Sequence, residues 1–262
     1  MSSFRVLTSM ITPDDTGILP EFREERPHFS SSNIFPSGIF ILPGINILYP
    51  LEREFLERES SKCMILLNSL SALARSQQGT LVSGPMICKG ENGKFYKRSY
   101  LLDENGSIQG HYDQCHIPRE ESAFFEQGSK PFLFSCCATR IAILHAYELL
   151  YPEYARSMAL SGVQMVIVCG VTGLPFFQGI KSILQTRSLE NHIFLAAACS
   201  GEGEGNYNTG IFSPSGADIS EKNSSWFYSA LIDTGPLSSK AQTRFFSSRR
   251  PDLYHPVTEF LV

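Results

Sequence analysis

The chain has 262 residues, with Lys+Arg at 22, Asp+Glu at 26 and a formal charge of −4. That balance excludes a basic phosphate-binding face, and with it a nucleic-acid partner. Charged residues make up 18% of the chain, below the usual quarter, which fits surface that is buried again between subunits. A chain this long buries about three-quarters of its unfolded surface, so residues 1–262 read as a single domain needing no disulfide or metal staple.

The cysteines, at positions 63, 88, 115, 136, 137, 169 and 199, form no CxxC pair, and most sit in apolar runs such as Val166-Ile167-Val168-Cys169. Buried reduced thiols and a cytoplasmic location are the expectation. The opening Met1-Ser2-Ser3-Phe4-Arg5-Val6 lacks the basic-then-apolar order of a signal peptide. The longest apolar stretch, around 163–177, is too short and too interrupted to span a bilayer, so no membrane association is expected.

In chain order, Phe4–Ile11 reads as a strand, followed by a Pro/Ser-rich stretch at 12–38 and a short apolar run, Gly38–Leu42. Apolar residues at three- and four-residue steps predict a helix over Leu51–Ser76, with Arg53/Glu57 and Glu54/Arg58 paired one turn apart on a solvated face. Antiparallel strands are predicted over 79–88, 94–102 and 107–115, the Asn92-Gly93 and Asn105-Gly106 turns marking the hairpins. Further strands are predicted at 131–135, 139–146, 163–169 and 192–199, and helices at 152–161 and 176–191. One mixed α/β domain is the simplest architecture.

Searched for chemistry, the sequence holds no GxxxxGK[ST], HExxH or GxSxG. Gly201-Glu202-Gly203-Glu204-Gly205 places carboxylates where an anion would sit and reads as a loop. The histidines lack metal-ligand spacing, so neither a metal nor another cofactor is expected.

An ordered set of segments carries more. Gly110-His111-Tyr112-Asp113-Gln114-Cys115-His116-Ile117-Pro118, with Glu120-Glu121 after it, resembles the "G-x-Y-x-K-x-H-L-P…E" segment of the carbon–nitrogen hydrolase (nitrilase) superfamily. Arg140–Glu153 resembles that family's nucleophile elbow, "I-G-x-x-x-C-x-D-x-x-x-P-E". Tyr154–Gly162 is similar to its "R-x-L-A-x-x-G" helix, Arg187–Asn191 to "R-A-x-E-N", Gly210 with Ser213–Gly216 to "G-x-S…P-x-G", and Arg249–Tyr254 to "R-R-P-D-L-Y". The pieces stand in family order over roughly 39–254. The resemblance implies a four-layer α-β-β-α sandwich, and pairing into a homodimer or larger assembly.

The family's chemistry uses a Glu as base, a Lys to stabilise the oxyanion, and a Cys as nucleophile. Mapped by resemblance, those positions are Gly44, Gln114 and Ala146. Classical activity on amides or nitriles is therefore not expected. Cys136 and Cys137 should lie at the far end of the strand that leads to Ala146, and Cys115 should point away from Gln114. His145, Tyr147 and Glu148 flank the lost nucleophile, and Glu121 falls where the family keeps an auxiliary carboxylate. With no ammonium beside it, Glu121 is expected in a loop salt bridge.

Three readings stay open. The chain is a pseudoenzyme that binds a small amide or carboxylate metabolite or assembles with itself or an intact relative. Or it runs different chemistry in the old pocket, through His145, Tyr147, Glu148 or Glu121. Or it is a carbon–nitrogen hydrolase whose reacting residues lie elsewhere.

Overall fold

The computed structural model describes residues 3–9, 38–44, 51–171, 179–200, 209–222, 227–237 and 246–254. The Pro/Ser-rich stretch, apart from Gly38, and the Gly201–Gly205 loop lie outside the described residues. The start of the helix predicted at 176–191 lies outside them too.

The strands are β1 (Ser3–Ser9), β2 (Ile39–Ile41), β3 (Thr80–Val82), β4 (Met86–Lys89), β5 (Phe95–Leu102), β6 (Ile108–Asp113), β7 (Leu133–Cys136), β8 (Thr139–His145), β9 (Met165–Val171), β10 (Phe194–Ser200), β11 (Gly210–Phe212), β12 (Glu221–Lys222) and β13 (Phe227–Asp233). The helices are α1 (Arg53–Gln77), α2 (Pro152–Leu160) and α3 (Ile180–Asn191). One sheet has 8 strands in the order β12-β13-β1-β2-β3-β5-β4, with β6 on the other side of β5; the second has 5, in the order β11-β10-β9-β8-β7.

The layering follows from side-chain alternation along strands that are apolar on both faces. One set, including Val6, Ile41, Val82, Ile143 and Ile167, fills the space between the sheets. The alternate set on the first sheet, Leu7, Phe40, Leu81 and Leu102, meets Leu66, Leu67 and Leu70 of α1. The alternate set on the second sheet, Ala142, Leu144, Val166 and Val168, meets Ala155 and Met158 of α2 and Leu184 of α3. The result is the α-β-β-α sandwich.

Helix α1 buries Leu56, Cys63, Leu67, Leu70 and Ala74, one stripe at three- and four-residue steps. Its exposed face carries the Arg53–Glu57 pair at 3.8 Å; Arg58, expected opposite Glu54, donates instead to Glu59 at 3.2 Å. The run 79–88 divides into β3 and β4. Pro85 has no N–H for a ladder, and the Ser83-Gly84-Pro85 connection bends against Pro43-Gly44. Three strands absent from the sequence reading, β11, β12 and β13, extend the sheet edges. Among the described residues no helix is long and apolar enough to cross a membrane.

Candidate functional site

Four elements finish at one end of the sandwich: β2 with Leu42-Pro43-Gly44, the β3–β4 connection, β6, and β8. β6 stops at Asp113, yet the ladder with β5 continues for one more bond, from the Gln114 N–H to the Lys97 carbonyl at 3.0 Å. Lys97 and Gln114 therefore stand directly opposite each other. β8 delivers His145 and Ala146 to the same end, followed by a short 3-10 turn over Ala146–Leu150.

Glu148 is the hub of that turn. Its buried carboxylate accepts from the Tyr112 hydroxyl (2.7 Å), from the Cys115 and His116 N–H groups (2.9 and 3.1 Å) and from the His145 N–H (2.8 Å). Burial alone would raise its pKa. The bonds from His116, Tyr112 and the His145 backbone, joined by the charge of His145 once that ring protonates near pH 4, outweigh burial and hold it below the usual carboxylate range. The same burial, with Glu148 alongside, drives the Tyr112 phenol far up. Glu148 thus ties the end of β6 to the end of β8, a structural job.

His145 is enclosed on both ring nitrogens. The Gln114 amide N–H donates to the His116 carbonyl at 2.7 Å. Its oxygen therefore faces Nδ1 of His145 at 3.2 Å and accepts from it. Nε2 then accepts from the Ser99 hydroxyl at 2.9 Å. Burial, the leading cause, drops His145 from 6.5 to about 4, so the ring is neutral near pH 7.

Glu121 lies buried in the turn Arg119–Glu121 and forms an ion pair with the Lys97 ammonium, while its neighbour Glu120 faces solvent. This corrects the expectation of a carboxylate with no ammonium beside it. Position 114 carries none, but the residue opposite it on β5 does. Lys97 sits 5.1 Å over the Phe125 ring, and burial pulls its pKa down against the raising effect of Glu121. The sequence carried a signal for it: Phe95, Lys97, Ser99 and Leu101 share one face of β5, and that face is buried. A lysine on a buried strand face needs a partner.

The other expected positions fall as follows. Tyr147 is half-buried with its hydroxyl 3.3 Å from that of Tyr151, whose bond, more than burial, pushes Tyr147 to about 12. Cys136 closes the β7–β8 hairpin opposite Thr139, at the far end of β8 from Ala146. Cys115 was expected on the face opposite Gln114. Because β6 ends at Asp113, the alternation stops short of it, and its thiol turns back to the Asp113 carbonyl at 3.7 Å; burial chiefly raises its pKa.

Gly44 packs against Pro85, and Gly170 lies between Pro85 and Ala146. A Cβ built on Gly44 would lie 2.5 Å from Cδ of Pro85 and 2.9 Å from its backbone nitrogen. A Cβ built on Gly170 would lie 3.4 Å from the Ala146 methyl and 3.8 Å from Cγ of Pro85. A Cβ on Gly84 would lie 2.1 Å from the Gly44 nitrogen, so the two glycine backbones meet directly. The space that a longer side chain at position 44 would enter is occupied by backbone and proline ring. A cavity of about 10 Å³, room for about one water, lies on the α1 side, lined by Leu42, Gly44, Leu66, Leu70, Pro85 and Met86. Among the described residues, no group of three or more His, Cys, Asp or Glu could hold a metal ion.

Of the segments that resemble family motifs, Arg187–Asn191 reaches this end, and Arg249–Tyr254 forms a local surface turn. Arg187 donates to the Leu149 carbonyl at 3.0 Å and pairs with Glu190 at 2.7 Å, while Arg250 pairs with Asp252 at 2.6 Å. The carbon-nitrogen hydrolase family model matches residues 37–234.

The chain belongs to the carbon–nitrogen hydrolase family. Among curated relatives, it is 26% identical over 196 residues to the 2-oxoglutaramate amidase of Bacillus subtilis, a match covering 71% of this chain and 74% of the amidase. Among solved structures it resembles a carbon-nitrogen hydrolase from Helicobacter pylori, with TM-score 0.79, 17% identity and 99% of both chains covered. A cysteine-to-alanine mutant of a Nesterenkonia amidase from the nitrilase superfamily superposes with TM-score 0.75 at 19% identity, over 98% of both chains. This carbon–nitrogen hydrolase fold is thus kept across nearly the whole length.

Proposed function

We propose that this carbon–nitrogen hydrolase-fold protein does not hydrolyse amides or nitriles through a thioester, and acts instead by assembly. The reading rests on one observation above the others: the first side-chain carbon of any residue replacing Gly44 would lie 2.5 Å from Cδ of Pro85, so a glutamate there would require Pro85 to shift. Two further features support it. Ala146 offers a methyl group at the end of β8, and Gln114 spends its amide on His116 and His145. In a glutamate-to-glutamine mutant of a Nesterenkonia amidase, by contrast, the acetamide moiety of fluoroacetamide is attached covalently at the active site cysteine.

Assembly is favoured over metabolite binding because the described polar groups at this end satisfy one another. In addition, Leu150, Leu160, Leu189 and Leu253 are exposed at 36%, 42%, 51% and 62%. The partner we favour is a second copy of this chain, giving a homodimer or higher oligomer, and a cytoplasmic setting suits its reduced thiols. Two measurements test the proposal together: ammonia release from small amides and nitriles, and native mass spectrometry. Background ammonia with a dimer or larger species is the expected result. Enzyme-like ammonia release overturns it, and a monomer carrying a small amide or carboxylate moves the function to metabolite binding.

A second reading, different chemistry in the old pocket, is favoured by one contact. Ser99 donates to Nε2 of His145, and Gln114 orients Nδ1, the order of nucleophile, base and orienting group. Ser99 is fully buried, at 0% exposure. A serine-directed fluorophosphonate that labels Ser99 in the folded chain favours this reading, and the absence of label removes it.

A further inference from the structure

Beneath α1, on the outer face of the eight-stranded sheet, two thiols meet. Cys63 lies on the buried stripe of α1 and Cys88 in β4, and their sulfur atoms are 2.8 Å apart, closer than unbonded sulfurs rest. The Tyr100 hydroxyl lies 4.0 Å from Cys63 and 3.8 Å from Cys88. The pair takes no part in the Glu148, His145 or Lys97 contacts.

The two thiols are unequal. The bond from Cys88, with Tyr100 and Arg98 in support, draws Cys63 down to about 7 against its burial. Cys88, bonded to Cys63 and buried, is pushed far up. Whichever sulfur gives up its proton, the other stands in contact with it, and Cys63 is the more exposed of the two. An attacking thiolate touching a resolving thiol is the arrangement that forms disulfides quickly.

We propose that Cys63 and Cys88 form a reversible oxidation site that takes a hydroperoxide and joins α1 to β4 by a disulfide. The Cys63 sulfur attacks a peroxide oxygen, the O–O bond breaks, and with one proton Cys63 becomes a sulfenic acid while water leaves. The Cys88 sulfur then attacks the sulfenic sulfur, the S–O bond breaks, and its proton leaves with the hydroxyl as a second water. In sum, two thiols and one hydrogen peroxide give one disulfide and two waters. An S–S bond of about 2.05 Å lies less than 1 Å from the present separation of 2.8 Å. Cys63 is 8% exposed and Cys88 3%, which admits an oxidant as small as hydrogen peroxide at Cys63 first. The bond would pin α1 to β4 just beyond Pro85, across the small cavity that Leu66, Leu70 and Met86 share with Gly44.

The test is to treat the folded full-length chain with hydrogen peroxide, alkylate the remaining thiols in denaturant, digest, and analyse by mass spectrometry. The expected result is a peptide pair joined through Cys63 and Cys88, lighter by two hydrogens, with alkylation lost at both sites and regained after dithiothreitol. In Cys88→Ser, Cys63 should be trapped by dimedone as a sulfenic acid, whereas in Cys63→Ser, Cys88 should stay fully alkylated. Full alkylation of both residues in the treated parent overturns the proposal. So does equal oxidation of Cys88 in Cys63→Ser, or cross-linking confined to Cys136 and Cys137.

Discussion

Lys97 and Glu121 form a buried ion pair that joins β5 to the turn after β6, and each side chain is under 10% exposed, at 9% and 3%. Removing one partner from such a pair costs about 3–5 kcal/mol, because the other charge is left buried alone. Lys97→Met should therefore lower stability by about that amount. The double variant Lys97→Met/Glu121→Leu should recover most of the loss, since a packed apolar pair can stand in for a buried ionic one. Urea unfolding of the four proteins of this cycle gives the coupling. A parent-like midpoint for Lys97→Met would show that the ammonium contributes nothing to the fold.

On the proposed function, supplying Glu, Lys and Cys at positions 44, 114 and 146 should not produce a hydrolase. The variant Gly44→Glu/Gln114→Lys/Ala146→Cys supplies a carboxylate, an ammonium and a thiol, but the first carbon of the new Glu would sit 2.5 Å from Cδ of Pro85. We expect the triple variant to release no ammonia from small amides above the parent's background, and to be less stable than Gln114→Lys/Ala146→Cys. Ammonia assays beside thermal melts check both. Amide turnover by the triple variant would show that Pro85 yields, and that substitution alone separates this chain from an active hydrolase.

The neutral His145 gives stability a defined pH dependence. Its folded value is about 4 against an ordinary 6.5. Below pH 6.5 the unfolded chain therefore binds a proton that the folded chain refuses. Stability should be flat above pH 6.5 on this account and fall as the pH drops toward 4, by about 3 kcal/mol in total. Glu148, held below the carboxylate range, adds loss in the same direction only at lower pH, where carboxylates protonate. His145→Gln should flatten the slope between pH 6.5 and 5 whatever its absolute stability. Unfolding free energies measured at half-unit pH intervals would show this, and an unchanged slope in the variant would assign the effect elsewhere.

Much of this molecule is legible in the chain. Helix α1 follows from its three- and four-residue apolar steps, and the β5–β6 hairpin from Asn105-Gly106. The parallel strands β8, β9 and β10 follow from apolar runs such as Val166-Ile167-Val168-Cys169. What escaped depends on partners distant in sequence. Strands β11 and β12 are short edge elements, and β13 pairs with β1 from the other end of the chain, Ser3 against Asp233. The sequence reading runs one strand straight through Pro85, and only the fold reveals that Pro85 divides it and abuts Gly44. The Lys97–Glu121 contact was half visible: a lysine on a buried strand face announces a partner without saying which one. The Cys137-Ala138 turn carries no hairpin signature. Both residues have positive φ, 51° and 59°, in a two-residue connection that ordinarily asks for Asn-Gly.

Glu148 gathers the ends of β6 and β8 onto one carboxylate, yet it is none of the three residues at positions 44, 114 and 146. The carboxylate that fastens this end and the positions that the family resemblance assigns to chemistry are therefore separate parts. Exchanging the side chain at any of those three positions removes none of the bonds that Glu148 accepts from Tyr112, Cys115, His116 and His145.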